Sequence, residues 1–341
     1  MIRRHPFLRV AFLCAVAILL VSGLASAWFQ SWKAGRIVDL HTGAEIADLP
    51  SGKMEYSLHG EGVPVVVFHS APGGYDQGVA IGGFLTDAGF EIVSPSRPGY
   101  LRTPLNSGPS PAEQADAVSW LLEELEVDRV AVLGFGHGGP AALEFTRKYS
   151  PRIHALVLVS AITTRLDSPD TTPLPLQILR TLRNDFRSCL FVEMARRLPS
   201  RALAAAAPFL SPGSPVEESA WGSAVLQDSA QLDDFQQFAN ALSPLSLRET
   251  GTANDLLQVE SLALIPLADI RTPTLVVHGA MDRFVPQAMA QATADSIPGA
   301  ELLIVPGGGH LPTLGNQGDS VRERIVSFLK QHTLKSPEAA E

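Results

Sequence analysis

The 341-residue sequence has little cysteine and few basic residues, and both shortages exclude classes of protein. Its two cysteines are Cys14, in an apolar N-terminal segment, and Cys189. Once that segment is set aside, one thiol remains and no intrachain disulfide can form. Cys189 lies among apolar residues, so we interpret it as a small buried hydrophobe rather than a catalytic thiol.

The charge balance is acidic, with 26 lysines and arginines against 35 aspartates and glutamates and a net charge of −9. No basic cluster is present, which argues against a nucleic acid as the partner and against docking on anionic lipid. Histidines with the spacing of a metal site are also lacking, so we expect no metal and interpret His69 as stabilising its own loop. Hydrophobic residues make up 45 % of the chain, which is enough to bury a large core.

The N-terminal segment has the pattern of an export signal. Three arginines precede an apolar run over residues 10–24, and Ala-Ser-Ala at 25–27 has the form of a cleavage site. Because Trp28 and Phe29 prolong the apolar stretch, residues 10–29 are also long enough for a membrane anchor. Both alternatives place the rest of the chain outside the cytoplasm, and a chain without disulfides is compatible with a bacterial periplasm.

Beyond that segment, strand-like runs alternate with helix-like stretches. A connector has weak strand character around 37–40, and runs at 54–58 and 63–68 are separated by 59–62, which has the Gly-rich chemistry of a hairpin turn. Further apolar runs predict buried strands, and two apolar periods of about 3.6 predict helices over 112–125 and 321–331. This alternation predicts a mostly parallel sheet with helices on both faces. The further strand-like runs are 91–94, 129–133, 154–159, 274–278 and 302–305.

The pattern changes between Thr163 and Asp269. Helical fragments and scattered prolines fill this stretch of the sequence, and it contains no run typical of a strand. We interpret it as an inserted helical cap. The helical fragments are 176–182, 190–198 and 233–242.

A short turn follows the apolar run at 129–133 and precedes a helix-like stretch at 140–145. A strand, a Gly-rich turn and a helix form the setting of the nucleophile elbow, G-x-S-x-G. Gly134 and Gly138 keep its frame, and Gly139 follows, but the central residue is Gly136 in place of serine. The elbow is therefore predicted to lack its nucleophile.

The same glycines also match G-x-G-x-x-G, the dinucleotide-binding fingerprint, through Gly134, Gly136 and Gly139. That fingerprint requires an acidic residue at the end of the next strand, whereas this strand ends in Ser160 and Ala161. It also belongs near the start of a domain, and two strand units precede it here. We therefore expect no cofactor.

Four further motifs occur in a fixed order around the elbow. They are H-S-A-P-G at 69–73, S-R-P-G-Y at 96–100, H-G-A-M-D at 278–282 and G-G-H at 308–310. Together they resemble the α/β-hydrolase superfamily, in particular its cap-bearing small-molecule branch. The resemblance implies an α/β-hydrolase fold, a mostly parallel sheet flanked by helices with an inserted helical cap.

The sequence patterns together predict a domain organisation. Residues 1–27 are the signal peptide or anchor, and 28–52 are a connector. The α/β core is split by the cap, and a polar tail closes the chain. The core covers 53–162 and 270–333, the cap 163–269 and the tail 334–341.

In this superfamily the nucleophile, acid and base follow one another along the chain. That order places Gly136, Asp282 and His310 in the three positions, with Asp282 orienting the imidazole and His310 moving the proton. The amides of Ala71 and His137 are implied as the oxyanion hole. Two plainer interpretations are open: His310 could cap its loop, and Asp282 could cap the helix that begins near residue 286.

Two loop serines lie near the predicted site. Ser70 departs from the glycine usual in its motif, and Ser96 opens the next motif. We interpret both as structural rather than as substitute nucleophiles. His137, directly after the elbow, is expected to face or pack at the mouth of the pocket rather than to replace the nucleophile.

Glycine at position 136 reaches the elbow conformation without steric cost, so the turn is expected to form intact. Three functions remain open. The His310–Asp282 pair could act as a general-base dyad on a small, partly apolar molecule; the chain could bind such a ligand without turnover; or it could be a serine hydrolase inactivated by substitution at Gly136. A decayed site without a ligand is the fourth possibility. We expect ordinary serine esterase activity to be absent or very low.

Overall fold

A computed structural model describes residues 6–165, 184–211 and 213–333. The predicted helical fragment 176–182 and the polar tail 334–341 lie outside these residues. By its internal contacts the chain divides into two compact units, Met1–Thr42 and Gly43–Glu341.

The first unit contains one helix, α1, which covers Pro6–Thr42. An 18-residue window within Val10–Thr42 reaches a mean hydropathy of 2.5, and by length and composition the helix could cross a membrane. The strand character predicted around 37–40 is wrong, since these residues belong to α1. A helix that has already nucleated gains one hydrogen bond for each residue it adds, so it extends through a short stretch with weak strand preference.

The second unit is built on an eight-stranded sheet in the order β1-β2-β4-β3-β5-β6-β7-β8. β1 pairs antiparallel with β2, and β2 pairs antiparallel with β4, while β3 to β8 are parallel to one another. The predicted mostly parallel sheet is therefore confirmed. The strands are Glu45–Leu49, Gly52–Gly60, Val63–Phe68, Phe90–Pro95, Val130–Phe135, Ile153–Val159, Thr274–Gly279 and Glu301–Val305.

The hairpin predicted across 59–62 is wrong, because β2 and β3 are not neighbours. β4 lies between them, antiparallel to β2 and parallel to β3. The apolar character of β3 explains this arrangement: Val65 and Val66 point to opposite faces of the sheet, yet both are completely buried. A strand whose two faces are both apolar is favoured in the interior of a sheet, where helices cover both faces.

Helices cover both faces of the sheet. Val65 and Val67 of β3 pack into one apolar cluster, whereas Val66 and Phe68 pack into another with α3 and α4. The helices α2 to α11 are Tyr75–Gly82, Pro111–Glu124, Gly139–Lys148, Asp185–Arg197, Pro199–Leu210, Pro215–Gln227, Ser229–Asn240, Glu249–Glu260, Gln287–Ser296 and Gly318–Thr333. Short 3-10 helices cover Gly83–Ala88, Leu105–Ser107, Gly136–Gly138, Ser150–Arg152, Leu245–Leu247 and Leu267–Asp269.

The described residues between β6 and β7 are helical, in agreement with the predicted change of pattern. They hold α5 to α9 and no strand. The helices α5, α6, α7 and α8 contribute side chains to the same apolar cluster as the inner face of β5. The inserted helices therefore share a core with the sheet.

A buried ion pair joins the inserted helices to the loop after β4. The Arg97 guanidinium donates to both carboxylate oxygens of Asp255 on α9, and the two side chains are 2 % and 4 % exposed. The Tyr100 hydroxyl also donates to Asp255. Burial and the neighbouring Asp255 carboxylate raise the Tyr100 pKa well above 10, which keeps the phenol protonated as a donor.

We expect Asp255→Ala to lower the free energy of unfolding by about 3–5 kcal/mol, because it leaves the Arg97 charge buried and unpaired. Urea unfolding followed by circular dichroism measures this change. The matched control is Asp48→Ala, which removes an ion pair with Lys53 whose side chains are 81 % and 61 % exposed. That control should cost less than about 1 kcal/mol. Equal losses in the two variants would contradict the importance of the buried pair.

Candidate active site

The elbow lies where the sequence predicts it. Strand β5 ends at Phe135, the 3-10 turn covers Gly136–Gly138, and α4 begins at Gly139. Gly136 has a φ of +49°, a conformation that glycine adopts without steric cost. Its carbonyl accepts a hydrogen bond from the Ile162 amide after β6 at 2.9 Å. The turn therefore forms with glycine at its centre.

The other elbow glycines also pack closely against neighbouring residues. An ideal Cβ on Gly138 would lie 2.1 Å from the Phe68 carbonyl oxygen at the end of β3. No side chain fits at such a distance, so the turn approaches β3 only because residue 138 is glycine. A Cβ on Gly139 would similarly lie 2.3 Å from the Ile162 carbonyl oxygen, and one on Gly134 would lie 2.8 Å from the Ala142 side chain.

Asp282 and His310 meet at the carboxyl end of the sheet. The His310 Nδ1–H donates to Asp282 Oδ2 at 2.8 Å, and the two side chains are 3 % and 0 % exposed. The other carboxylate oxygen accepts from the amides of Phe284 and Val285 at 2.8 and 3.2 Å. Asp282 therefore stabilises the turn to which it belongs. Its interpretation as a helix cap is wrong, because the N-cap of α10 is Pro286.

Backbone hydrogen bonds hold the Asp282 turn against the loop that carries His310. The Met281 amide donates to the Gly308 carbonyl at 2.8 Å, and the Ala280 amide donates to the Val305 carbonyl at 3.0 Å. An ideal Cβ on Gly279 would lie 2.1 Å from the Gly309 carbonyl oxygen. The two motifs are therefore parts of one packed unit at the ends of β7 and β8.

The environment of Asp282 keeps its carboxyl ionised. Burial alone would raise the Asp282 pKa, but the adjacent His310, His278 and the Phe284 amide hold it below its usual 3.8. His278 Nε2 lies 3.8 Å from the same carboxylate oxygen and bonds to the Val285 carbonyl at 2.9 Å. An ionised acceptor on Nδ1 fixes the His310 tautomer whose Nε2 carries a lone pair.

The His310 ring packs between two aromatic side chains and points Nε2 at the elbow. Its centroid lies 5.2 Å from the Phe135 ring and 5.5 Å from the Phe284 ring. An ideal Cβ on Gly136 would lie 3.5 Å from His310 Nε2. The structure therefore brings together the three positions that the motifs assign to nucleophile, acid and base.

Ser70 occupies the space beside Gly136, which the sequence did not predict. Its Oγ accepts a hydrogen bond from the His137 amide at 3.1 Å, so one of the two amides expected in the oxyanion hole has an acceptor within the protein. The same Oγ lies 3.4 Å from His137 Nδ1. The signal in the sequence was a pair of departures, serine for glycine at position 70 and glycine for serine at Gly136.

His137 is buried and neutral near pH 7. Burial lowers its pKa to about 4, and Arg97 and His310 contribute in the same direction. Its Nε2 has no hydrogen-bond partner among the residues that the structure describes. The side chain is 8 % exposed, so it packs within the site.

The remaining sequence candidates have structural partners. His69 Nδ1–H donates to the Ser70 carbonyl at 2.8 Å, and its Nε2 accepts from the Arg97 amide at 2.9 Å. Ser96 Oγ donates to Glu55 and accepts from an amide on α2. Burial raises the Cys189 pKa to about 12, so this thiol stays protonated. In the described ranges no group of three or more potential metal ligands occurs.

Because His137 is buried, we expect the free energy of unfolding to decrease as the pH is lowered. Its pKa drops from 6.5 to about 4 on folding, so the unfolded chain binds the proton more tightly between these values. The free energy of unfolding should therefore decrease by up to about 1.4 kcal/mol per pH unit from pH 6.5 down to 4. His137→Gln should remove this contribution, measured by urea unfolding of both proteins across the range. Parallel pH profiles would contradict the prediction.

Comparisons with known proteins agree with this geometry. The family profile described as the alpha/beta hydrolase fold matches residues 63–316. "Uncharacterized hydrolase YcgS" from Bacillus subtilis is 27 % identical over 84 % of this chain and 98 % of its own. A 2-hydroxy-6-oxononadienedioate/2-hydroxy-6-oxononatrienedioate hydrolase from Escherichia coli is 22 % identical over 72 % of this chain and 78 % of its own.

Among solved structures, an alpha/beta hydrolase fold protein from Nakamurella multipartita superposes with a TM-score of 0.78. The two sequences are 27 % identical, and the match covers 84 % of this chain and 99 % of the Nakamurella chain. The profile match extends from the start of β3 to the loop after His310, and so it includes the elbow and both motifs of the dyad. The chain belongs to the α/β hydrolase fold family.

Proposed function

We propose that this protein is a general-base hydrolase of a small, partly apolar carbonyl compound. Its dyad is Asp282 and His310, and Gly136 contributes no nucleophilic side chain. The observation that carries the proposal is the position of His310 Nε2, 3.5 Å from the point that a Cβ on Gly136 would occupy. From this position His310 Nε2 accepts the proton of a nucleophile that attacks from the elbow.

The chemistry follows from the two hydrogen bonds of the dyad. Asp282 accepts from Nδ1–H, which leaves the Nε2 lone pair free to take a proton from an attacking hydroxyl group or water. As the proton arrives, the ionised Asp282 stabilises the imidazolium. His310 then returns the proton to the leaving group, so the dyad is unchanged after each turnover.

The surroundings of the dyad favour a substrate with apolar parts. Phe135 and Phe284 flank the His310 ring, and Phe238 of α8 lies 6.5 Å from Phe135 in the shared core. The curated relative from Escherichia coli is named for hydrolysis of an oxo-acid, which supports a carbonyl compound as substrate. An acidic chain without a basic cluster supports a small molecule rather than a nucleic acid as the partner.

The location proposed for the protein is outside the cytoplasm. The stretch Val10–Thr42 of α1 is long and apolar enough to span a membrane, and three arginines precede its apolar part. These features support either a cleaved signal peptide or an anchor through residues 10–29.

We expect His310→Ala to lower the hydrolysis of short-chain p-nitrophenyl esters by about 10²–10⁴-fold, because it removes the general base. Asp282→Asn should also lower the rate, since it no longer fixes the tautomer or stabilises the cation. The assay uses the full-length chain in mild detergent. The control is His59→Ala, which removes an exposed histidine of β2 and should leave the rate unchanged.

The outcome separates the enzyme from a binding protein. If the native chain binds esters in a fluorescence titration but hydrolyses none, the proposal fails and ligand binding without turnover replaces it. A rate that survives His310→Ala would also contradict the dyad.

We expect the full-length chain to be exported from a bacterial host, and deletion of residues 1–27 to retain it in the cytoplasm. Fractionation followed by immunoblotting measures both. Release into the periplasm after shortening of the chain indicates a cleaved signal, whereas recovery at full length in carbonate-washed membranes indicates an anchor. Cytoplasmic recovery of the full-length chain would contradict export.

A further inference from the structure

We propose that the Ser70 hydroxyl is the nucleophile of this site, transferred from the elbow to the loop after β3. The inference rests on the proposed function, since it names the group that the His310–Asp282 dyad deprotonates. It departs from the structural role that the sequence alone assigns to Ser70.

The first argument is position. An ideal Cβ on Gly136 would lie 2.3 Å from Ser70 Oγ and 2.9 Å from Ser70 Cβ. The Ser70 side chain therefore fills the space that a side chain at the centre of the elbow would occupy. That same point is 3.5 Å from His310 Nε2, so the hydroxyl and the general base both lie close to the position of an elbow side chain.

The second argument concerns hydrogen bonding. The His137 amide donates to Ser70 Oγ at 3.1 Å, which directs the hydroxyl's own proton away from that amide. A backbone donor on the oxygen also favours its deprotonated form. His137 Nδ1 lies 3.4 Å from the same oxygen, and because this ring is neutral it places no positive charge beside the hydroxyl.

The third argument is mutual exclusion. In the present conformation the structure does not accommodate side chains at positions 70 and 136 together, because a Cβ on residue 136 would lie 2.3 Å from Ser70 Oγ and 2.9 Å from Ser70 Cβ. Glycine at Gly136 is therefore the condition that lets the Ser70 side chain enter the site. The serine at position 70 and the glycine at position 136 are therefore coupled, since the first requires the second.

The reaction balances without any further reactant than water. Ser70 Oγ bonds to the ester carbonyl carbon while its proton passes to His310 Nε2. The carbon–oxygen bond to the alcohol breaks, and the alcohol leaves with that proton. Water then attacks the acyl group on Ser70, gives a proton to His310 and releases the carboxylic acid as Ser70 Oγ regains the proton.

Covalent labelling tests this proposal directly. The full-length chain in mild detergent is incubated with a fluorophosphonate probe, and mass spectrometry locates the adduct. We expect an adduct on Ser70 that is lost in Ser70→Ala and that forms at least 10²-fold more slowly in His310→Ala, by loss of the general base. The matched control is Ser160→Ala, which removes another fully buried serine at the end of β6 and should leave labelling unchanged.

A second pair of variants protects the test against a folding defect in Ser70→Ala. Gly136→Ser alone should lower the melting temperature, because the new side chain overlaps Ser70. Adding Ser70→Gly removes the overlap, so the double variant should regain stability and carry the adduct at residue 136. A double variant that remains as unstable as Gly136→Ser would overturn the exchange.

The outcomes separate this inference from the proposed function. If esters are hydrolysed in a His310-dependent way but the native chain carries no adduct on Ser70, the inference fails and the dyad acts on water. If Ser70 is labelled at the same rate in His310→Ala, the His310–Asp282 dyad is not the general base for Ser70. Labelling at another serine overturns the inference as well.

Discussion

The close approach of backbone segments at the elbow is the constraint on which the rest of the site depends. The turn after β5 presses against the end of β3 at Gly138 and accepts the Ile162 amide from the segment after β6. These contacts join three neighbouring strands of the sheet at their carboxyl ends. They hold Gly136 at a positive φ, so the elbow keeps its geometry although no side chain uses it.

The dyad reaches the elbow from the other half of the sheet. Backbone hydrogen bonds tie the turn of Asp282 to the loop of His310, and Phe135 packs against the His310 ring from the elbow strand. The general base and the elbow are thus positioned by one packed unit. A change in either turn would move Nε2 relative to Gly136, which is why the site requires the whole carboxyl edge of the sheet.

Buried charges behind the elbow couple the inserted helices to this edge. Arg97 binds Asp255 on α9, and Arg248 donates to both the Asp76 carboxylate on α2 and the Gly73 carbonyl. Arg97 Nε also donates to the His69 carbonyl, so both cations bind the loop that carries Ser70. Such buried pairs are costly to break, so they fix where the loop can lie. The position of the Ser70 hydroxyl beside Gly136 follows from this framework.

Local patterns in the sequence were enough to predict the elements with strong signals, namely continuous apolar strands such as 63–68 and the glycine turn around Gly136. It also placed Asp282 and His310 in order, since their motifs are short. It could not predict which strands pair, and it wrongly placed β2 beside β3. The order of strands in a sheet depends on which faces of each strand are covered by other elements. Only the tertiary structure put Ser70 beside Gly136, because their contact joins two loops from different strands and depends on how the sheet packs.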